Sequence, residues 1–285
     1  QRSRGACCCS QKGQKSVGTQ LQTLSSNRMY GYEHSRRELY WISMLTGETG
    51  TMTMTVNFSF RNKSVWIQLP SSSLLFTGGF TVMNLNDLNA PERTVTNEVT
   101  EISGEFQSQD LAPMTSPRFC HGLALFSNKV YAFSGFQAQD KLTSTCEVFE
   151  IETKVWRPVK DIETATAQIN PIVFGKFIYL LGGYNSLQKI QIFDPSKESW
   201  APSPKNMPYP HTGVACFQID SGQGIIYFAQ NCKLYAYAPE ENSLNKLTDL
   251  KDDVKCFDGP CAYKDGKLYV SSTIGPPNRY DININ

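Results

Sequence analysis

An aromatic residue or leucine, followed four positions later by glycine or a small polar substitute, recurs down this chain. The segments are 75–79 (LFTGG), 131–135 (YAFSG), 179–183 (YLLGG), 227–231 (YFAQN) and 269–273 (YVSST). Their first residues step by 56, 48, 48 and 42 positions, and a period of that size marks one supersecondary unit used repeatedly. Each segment reads as the second arm of a hairpin. GLALF passes through Ser127-Asn128 into KVYAF, PIVF through Gly175-Lys176 into FIYLL, and CAY through Asp265-Gly266 into KLYV. The Asp-Gly pair is the clearest of these, because a two-residue type I′ turn needs positive φ at both central positions. A second register follows each hairpin: Phe149 and Trp156, Phe193 and Trp200, and Tyr237 and Leu244 are each seven residues apart. The turn sequences between them, such as Asp194-Pro195-Ser196-Lys197, reverse the chain before an outermost strand. Every unit therefore reads as four antiparallel strands.

The pattern resembles the Kelch-repeat family, whose unit pairs a double glycine with a downstream Tyr and Trp. Gly182-Gly183, Phe193-Asp194 and Trp200 match it best; Gly78-Gly79 matches at the glycines, and Ser134-Gly135 with Trp156 matches with one substitution. The resemblance covers about residues 65 to 285 and implies an all-β propeller of four-stranded antiparallel blades. Gln230-Asn231 and Ser272-Thr273 replace the glycines in the last two units, and Leu244 replaces a tryptophan. Five or six blades are expected, with six preferred. The final hairpin is followed by one further strand-like segment, 278–285 (NRYDININ), while ELYWISM at 38–44 and TMTMTVNF at 51–58 precede the first hairpin. N-terminal strand or strands are accordingly expected to join the C-terminal blade and so remove its exposed edge; if 51–58 does so there are five blades, whereas if 38–58 forms a degraded blade of its own there are six. The Gln-, Ser-, Gly- and Lys-rich residues 1–36 are expected to be a flexible segment ahead of a propeller at 37–285.

Charge and composition exclude several function classes. Lys and Arg number 27 against 26 Asp and Glu, a net charge of +1, so no overall field draws the surface to nucleic acid or anionic lipid. No apolar run approaches the length of about 18 to 20 residues that crosses a bilayer. The chain opens at Gln1 with no secretory signal pattern, and its nine cysteines are mostly single and set in apolar runs, as free thiols in a reducing compartment are. A soluble, cytoplasmic protein is expected. Cys7, Cys8 and Cys9, flanked by Arg2, Arg4, Lys12 and Lys15, suit lipid attachment or an incidental run, the latter preferred; they lack the spacing of a zinc site.

The three histidines are His34, His121 and His211. His121 and His211 each stand just ahead of a first strand, which favours a structural role set by the repeat. The family also resembles copper-radical oxidases, but this chain has too few histidines for such a centre. Glu147, Glu150, Asp194 and Glu198 fall on outer strands and turns, where solvated charge is expected. No catalytic residue, metal or cofactor is assigned. Function is placed in the loops: connections between second and third strands share one face, and the first, residues 80–96, is much longer than 184–189. A protein or peptide partner is expected there, held by Phe80, Met83, Asn84, Asn86, Phe136, Gln137, Gln139, Tyr184 and Asn185, with aromatics as anchors and amides for orientation. The family resemblance implies cytoskeletal attachment or substrate delivery to a ubiquitin ligase. The alternative is an enzyme that processes a sugar or other small molecule in an axial pocket.

Overall fold

A computed structural model describes residues 24–54, 60–82, 93–104, 106–201, 205–210, 212–219, 223–256, 259–282 and 284. Strands account for nearly all the regular structure described and form six blades around one axis, the six-bladed propeller, with one further two-stranded sheet beside blade 2. Blade 1 holds β1 (Arg28–Glu33), β2 (Glu38–Ser43) and β3 (Thr49–Thr53). Blade 2 holds β4 (Val65–Gln68), β5 (Leu74–Thr77), β8 (Val99–Ile102) and β9 (Ser108–Leu111), with the hairpin β6 (Phe80–Val82) and β7 (Arg93–Val95) inserted between β5 and β8. Blade 3 is β10 (Gly122–Phe126), β11 (Lys129–Phe133), β12 (Cys146–Glu150) and β13 (Val155–Val159). Blade 4 is β14 (Ile172–Phe174), β15 (Phe177–Leu181), β16 (Ile190–Asp194) and β17 (Ser199–Ala201). Blade 5 is β18 (Ala215–Phe217), β19 (Ile226–Gln230), β20 (Lys233–Ala238) and β21 (Ser243–Asp249), and blade 6 is β22 (Cys261–Lys264), β23 (Lys267–Val270) and β24 (Asn278–Asp281).

The seven-residue aromatic spacing is a cross-strand pair. Phe149 faces Trp156, Phe193 faces Trp200 and Tyr237 faces Leu244, each directly across the outer hairpin of its blade. These pairs feed apolar clusters that fill the gaps between consecutive blades: Leu75 and Val99 meet Phe149 and Trp156 between blades 2 and 3, and Phe133 meets Phe193 and Trp200 between blades 3 and 4. The hairpin turns also take the expected form, with positive φ at Ser127 and Asn128 and at Asp265 and Gly266. Gly183 shows why glycine ends the second strand. Its φ is +108°, and a Cβ there would run into the Thr166 hydroxyl and lie 2.5 Å from Ile169 Cγ2. Blade 5 escapes this requirement because its second and third strands join through a two-residue turn, Asn231-Cys232, both at positive φ.

The connections that lead into the inner strands are tied to one another. Cys120 N donates to Lys63 O, Gln168 N to Cys120 O, Gly213 N to Gln168 O and Cys256 N to Gly213 O, a backbone chain linking blades 2 to 6. Lys63, Cys120, Gln168 and Gly213 all adopt positive φ, which turns each amide toward the preceding blade.

Of the two arrangements expected for 51–58, the six-blade one is observed: Thr49–Thr53 does not join the C-terminal blade but pairs with β2 in its own sheet. The TGETG turn, with Gly47 at φ +76°, makes that local hairpin, and local pairing avoids the entropy of closing a long loop. The chain ends meet through β1 instead: Tyr32 N donates to Ser272 O and Gly275 N to Tyr32 O, with single bridges from Gly31 to Ser272 and from Glu33 to Ile274. Strand β1 also lies inside the span 1–36 assigned above to a flexible segment. Its Tyr30 and Tyr32 are fully buried, the former edge-on to Trp66 of blade 2.

Candidate functional site

Strand direction alternates within each blade, so the connections between second and third strands emerge on the same face as those leading to the next blade's first strand. On this loop face, four aromatic rings are in contact across blades 2 to 4. Phe80 meets Phe119 with ring centroids 5.1 Å apart, Phe119 meets Phe136 at 5.3 Å, and Phe136 meets Tyr184 at 5.2 Å. The first three are buried, whereas Tyr184 is 56% exposed. The row thus has a packed base and an open end.

Each member is held by the backbone beneath it. Phe119 and Phe136 exchange two backbone hydrogen bonds, and Phe80 does the same with Asn62. The Tyr184 amide donates to Ala167 O. At the far end, the Arg93 guanidinium lies 5.1 Å from the Phe80 ring centroid and pairs with Asp140 at 3.3 Å. Strand β7 of the inserted hairpin is thereby fastened to the 3-10 turn Ala138–Asp140 of blade 3.

Of the residues expected to bind a partner, Phe80, Phe136 and Tyr184 belong to this row. Asn185 is exposed beside Tyr184, Gln139 is exposed in the 3-10 turn, and Gln137 is half-buried at its start, its amide donating to Lys141 O. Met83, Asn84 and Asn86 lie outside the described residues, as do Cys7, Cys8, Cys9 and His211. Phe119, the central ring, was missed because it reads as part of a strand entry, RFCHG; its place between two loops on one face is visible only once the blades are arranged. Further exposed apolar side chains on this face are Leu187, Tyr209 and Ile274.

His121 stands just ahead of β10 in blade 3. It is fully buried, with Nε2 at 2.7 Å from Thr77 Oγ1. The Thr77 hydroxyl donates to Val65 O, so it accepts from Nε2–H, and the histidine is neutral with a bare Nδ1. Burial, and secondarily the Arg118 charge, hold its pKa well below the usual histidine value. Among the described residues no three His, Cys, Asp or Glu side chains gather as a metal site.

Two carboxylates expected in solvent are instead buried. Glu147 pairs with Arg118 at 2.6 Å, with both side chains essentially inaccessible, and it also accepts from the amides of Thr115 and Ser116. Arg118 completes its bonding with Ser134 O, Thr145 O and the Thr145 hydroxyl. Asp194 is buried too, capping the outer turn of blade 4 through Ser196 N and Oγ, and those bonds, the Ser196 hydroxyl first, hold its pKa below the usual carboxylate value.

On the axis lies a cavity of about 480 Å³, lined by the inner strands of blades 2 to 6 and by Ser26, Arg28, Met29 and Met44 of blade 1. Its described lining carries the amides Gln68, Asn170 and Gln218 and one guanidinium, but no carboxylate.

A Kelch-motif family model matches residues 117–162, the span of blade 3 with its Arg118–Glu147 pair. Alpha-scruin of Limulus polyphemus is 29% identical over 156 residues, 51% of this chain and 16% of its own length. Beta-scruin of the same animal is 25% identical over 155 residues, again 51% and 16%. An F-box/kelch-repeat protein of Arabidopsis thaliana is 21% identical over 221 residues, 74% of this chain and 50% of that protein. The chain thus spans half or less of the length of each of these relatives. With the motif falling on blade 3 of six blades around one axis, the chain is a β-propeller of Kelch type.

Proposed function

We propose that this propeller is a non-enzymatic protein-interaction module that binds a protein or peptide partner through the loop face of blades 2 to 4. The observation that carries this reading is the aromatic row ending in exposed Tyr184, with exposed Leu187 in the same loop. Large rings on a rigid base lose little conformational freedom on binding, which is why such side chains dominate interface energetics. The kinship with Kelch-repeat proteins supports a binding role, and cytoskeletal attachment and substrate delivery to a ubiquitin ligase are both forms of it. Among the described residues no helix is long and apolar enough to cross a membrane. Cys120, Cys146, Cys216, Cys232, Cys256 and Cys261 form no disulfide, which fits the reducing, cytoplasmic setting proposed here.

The test is affinity purification with quantitative mass spectrometry on the wild type, on Tyr184→Ala, and on a variant in which residues 83–92 are replaced by Asn-Gly so that β6 and β7 keep their pairing. Val155→Ala, exposed on the opposite face, serves as control. An anchor of this type is worth about 2 kcal/mol or more, roughly a thirtyfold loss of affinity. A partner set unchanged by both loop-face variants refutes the assignment.

A further inference from the structure

We infer that the outer edge of blade 6 is a self-association surface, at which β24 of one copy pairs antiparallel with β24 of a second copy about a two-fold axis through Tyr280. Blades 2 to 5 each carry a fourth strand outside the third, whereas among the described residues blade 6 ends on β24. The difference shows in exposure. Third strands β12, β16 and β20 are largely buried, and their aromatics Phe149, Phe193 and Tyr237 are each covered and paired across to the fourth strand. Tyr280 stands at the matching place, opposite Leu268 as Phe193 is opposite Ile178. It is nonetheless partly exposed, and its neighbours Asn278, Arg279 and Asp281 are exposed. The unpaired amides and carbonyls of such an edge are a template for another strand. Three residues suffice, for β17 completes blade 4 with three.

The residues of the edge select its partner. Tyr280 packs toward blade 5, against the cluster that holds Phe217 and Tyr227. Arg279 lies on the other side of the sheet, its Nη1 3.4 Å from where a Cβ on Gly47 of blade 1 would stand. Arg279 and Asp281 therefore project from one face with opposite charges, and neither has an ion-pair or side-chain hydrogen-bond partner among the described residues. In an antiparallel pair centred on Tyr280, Arg279 of each copy faces Asp281 of the other. Two cross-strand ion pairs form on one face and a contact between the two Tyr280 rings on the other. That ring contact supplies what Phe193 and Trp200 supply within blade 4.

Other registers are disfavoured. A slide by two residues sets Arg279 against Arg279 or Asp281 against Asp281, and like charges directly opposite are destabilising. A slide by one turns the rings to the wrong face, and in-register parallel pairing stacks like charges. The edge is thus complementary to itself in one arrangement, the isologous contact of a two-fold dimer. A contact of this size is weak and reversible. It lies on the rim of blade 6 and is independent of the loop-face reading for blades 2 to 4.

The test is sedimentation velocity of the purified 285-residue chain from low micromolar to millimolar concentration at low ionic strength. The wild type is expected to dimerise with a dissociation constant of about 10–100 µM. Arg279→Glu sets Glu against Asp281, and Asp281→Arg sets arginine against arginine; each is expected to weaken dimerisation by about tenfold or more. An equimolar mixture of the two variants regains both ion pairs and dimerises like the wild type, as does the double variant Arg279→Glu/Asp281→Arg. Arg93→Glu on the loop face leaves association unchanged. Circular dichroism checks that the variants fold. Should one of them misfold, amide hydrogen exchange on the wild type decides, with protection of β24 expected to rise with protein concentration. A wild type that stays monomeric to millimolar concentration, because residues of the same chain fill this edge, overturns the proposal. So does dimerisation that both single variants retain, a mixture of folded variants that stays monomeric, or β24 exchange that ignores concentration.

Discussion

Removing the Glu147 carboxylate is the sharpest perturbation of the scaffold that the structure offers. In Glu147→Ala the Arg118 guanidinium keeps its bonds to Ser134 O, Thr145 O and Thr145 Oγ1 but loses its counter-ion, and its side chain has no solvent exposure to fall back on. Breaking a buried pair from one side costs about 3–5 kcal/mol, because an uncompensated charge is left in the interior. At about 2 °C of Tm per kcal/mol for a domain of this size, melting should fall by about 6–10 °C. Urea unfolding followed by tryptophan fluorescence measures the loss, since Trp156 shares a cluster with Phe149 two residues from Glu147 on β12. The informative comparison is a double-mutant cycle with Arg118→Met: with the cation gone, deleting the carboxylate should cost about 2–3 kcal/mol less than it does in the wild type. Glu198→Gln provides the contrast. Its partner Arg157 and Glu198 itself are both more than a third exposed, and such pairs contribute about 1 kcal/mol or less. A Glu147→Ala loss below about 1 kcal/mol, or an additive cycle, would refute the claim that this pair locks blade 3.

The buried, neutral His121 gives stability a defined pH dependence. Its folded pKa lies below the unfolded value, so on acidification the unfolded chain takes up a proton that the folded one refuses, and stability falls as pH drops below about 6.5 at about 1.4 kcal/mol per pH unit. Between pH 6.5 and 5 the loss attributable to this residue is about 2 kcal/mol, read as the difference in urea midpoints between wild type and His121→Gln; parallel pH curves for the two proteins would remove His121 from the account. Gly183→Ala places a Cβ against Thr166 and Ile169 at a φ of +108° and should destabilise by about 2 kcal/mol or more, whereas Gly175→Asn, at a turn with φ +57° and nothing within 4 Å of a Cβ, should cost well under half of that. Equal losses for the two glycine variants would show that backbone conformation, rather than inter-blade crowding, decides the first.

Much of this architecture was legible because it is written locally. A two-residue turn such as Asp265-Gly266 joins neighbours, and the seven-residue step from Phe149 to Trp156 is the length of one outer hairpin, so both survive in a single sequence. What depends on distant partners was not. Period-2 alternation in residues 51–58 marks a strand but says nothing of its neighbour, and its described part chose β2 over the far end of the chain. Strand β1 escaped notice although Ser26-Asn27-Arg28 echoes Ser127-Asn128-Lys129 at the start of a hairpin's second arm; Gly31 breaks its apolar pattern because a Cβ there would press on Gly275 O. Glu147 looked like an outer-strand charge because the groups that bury it, Arg118 and the amides of Thr115 and Ser116, sit about thirty positions earlier. The recurrence of arginine ahead of successive inner strands, Arg61 and Arg118, was the available signal. Both bond the carbonyl at the first position of the double-glycine motif, Gly78 and Ser134.

The chain of backbone bonds from Lys63 to Cys256 connects this uneven sequence to the proposed binding role. These bonds use amides and carbonyls alone, so the ring of connections holds its shape whichever side chains project from it, and blades 5 and 6 keep their place despite losing the glycine signature. Loops anchored on such a ring can vary in length at little cost to the fold, since loop-closure entropy grows slowly with length. The aromatic row then inherits rigidity from below: Phe119 lies beside Cys120 in the ring, and Tyr184 is bonded through its amide to Ala167 beside Gln168. A partner pressing on Tyr184 therefore meets a surface already ordered, and its binding energy is not consumed in arranging the loops. The same rigidity predicts where tolerance ends, for Phe80 is tied into the row and bridged to Asn62. Shortening within 83–92 leaves that base intact, whereas a deletion that takes Phe80 removes both a ring and a bridge and would confound loss of binding with loss of fold.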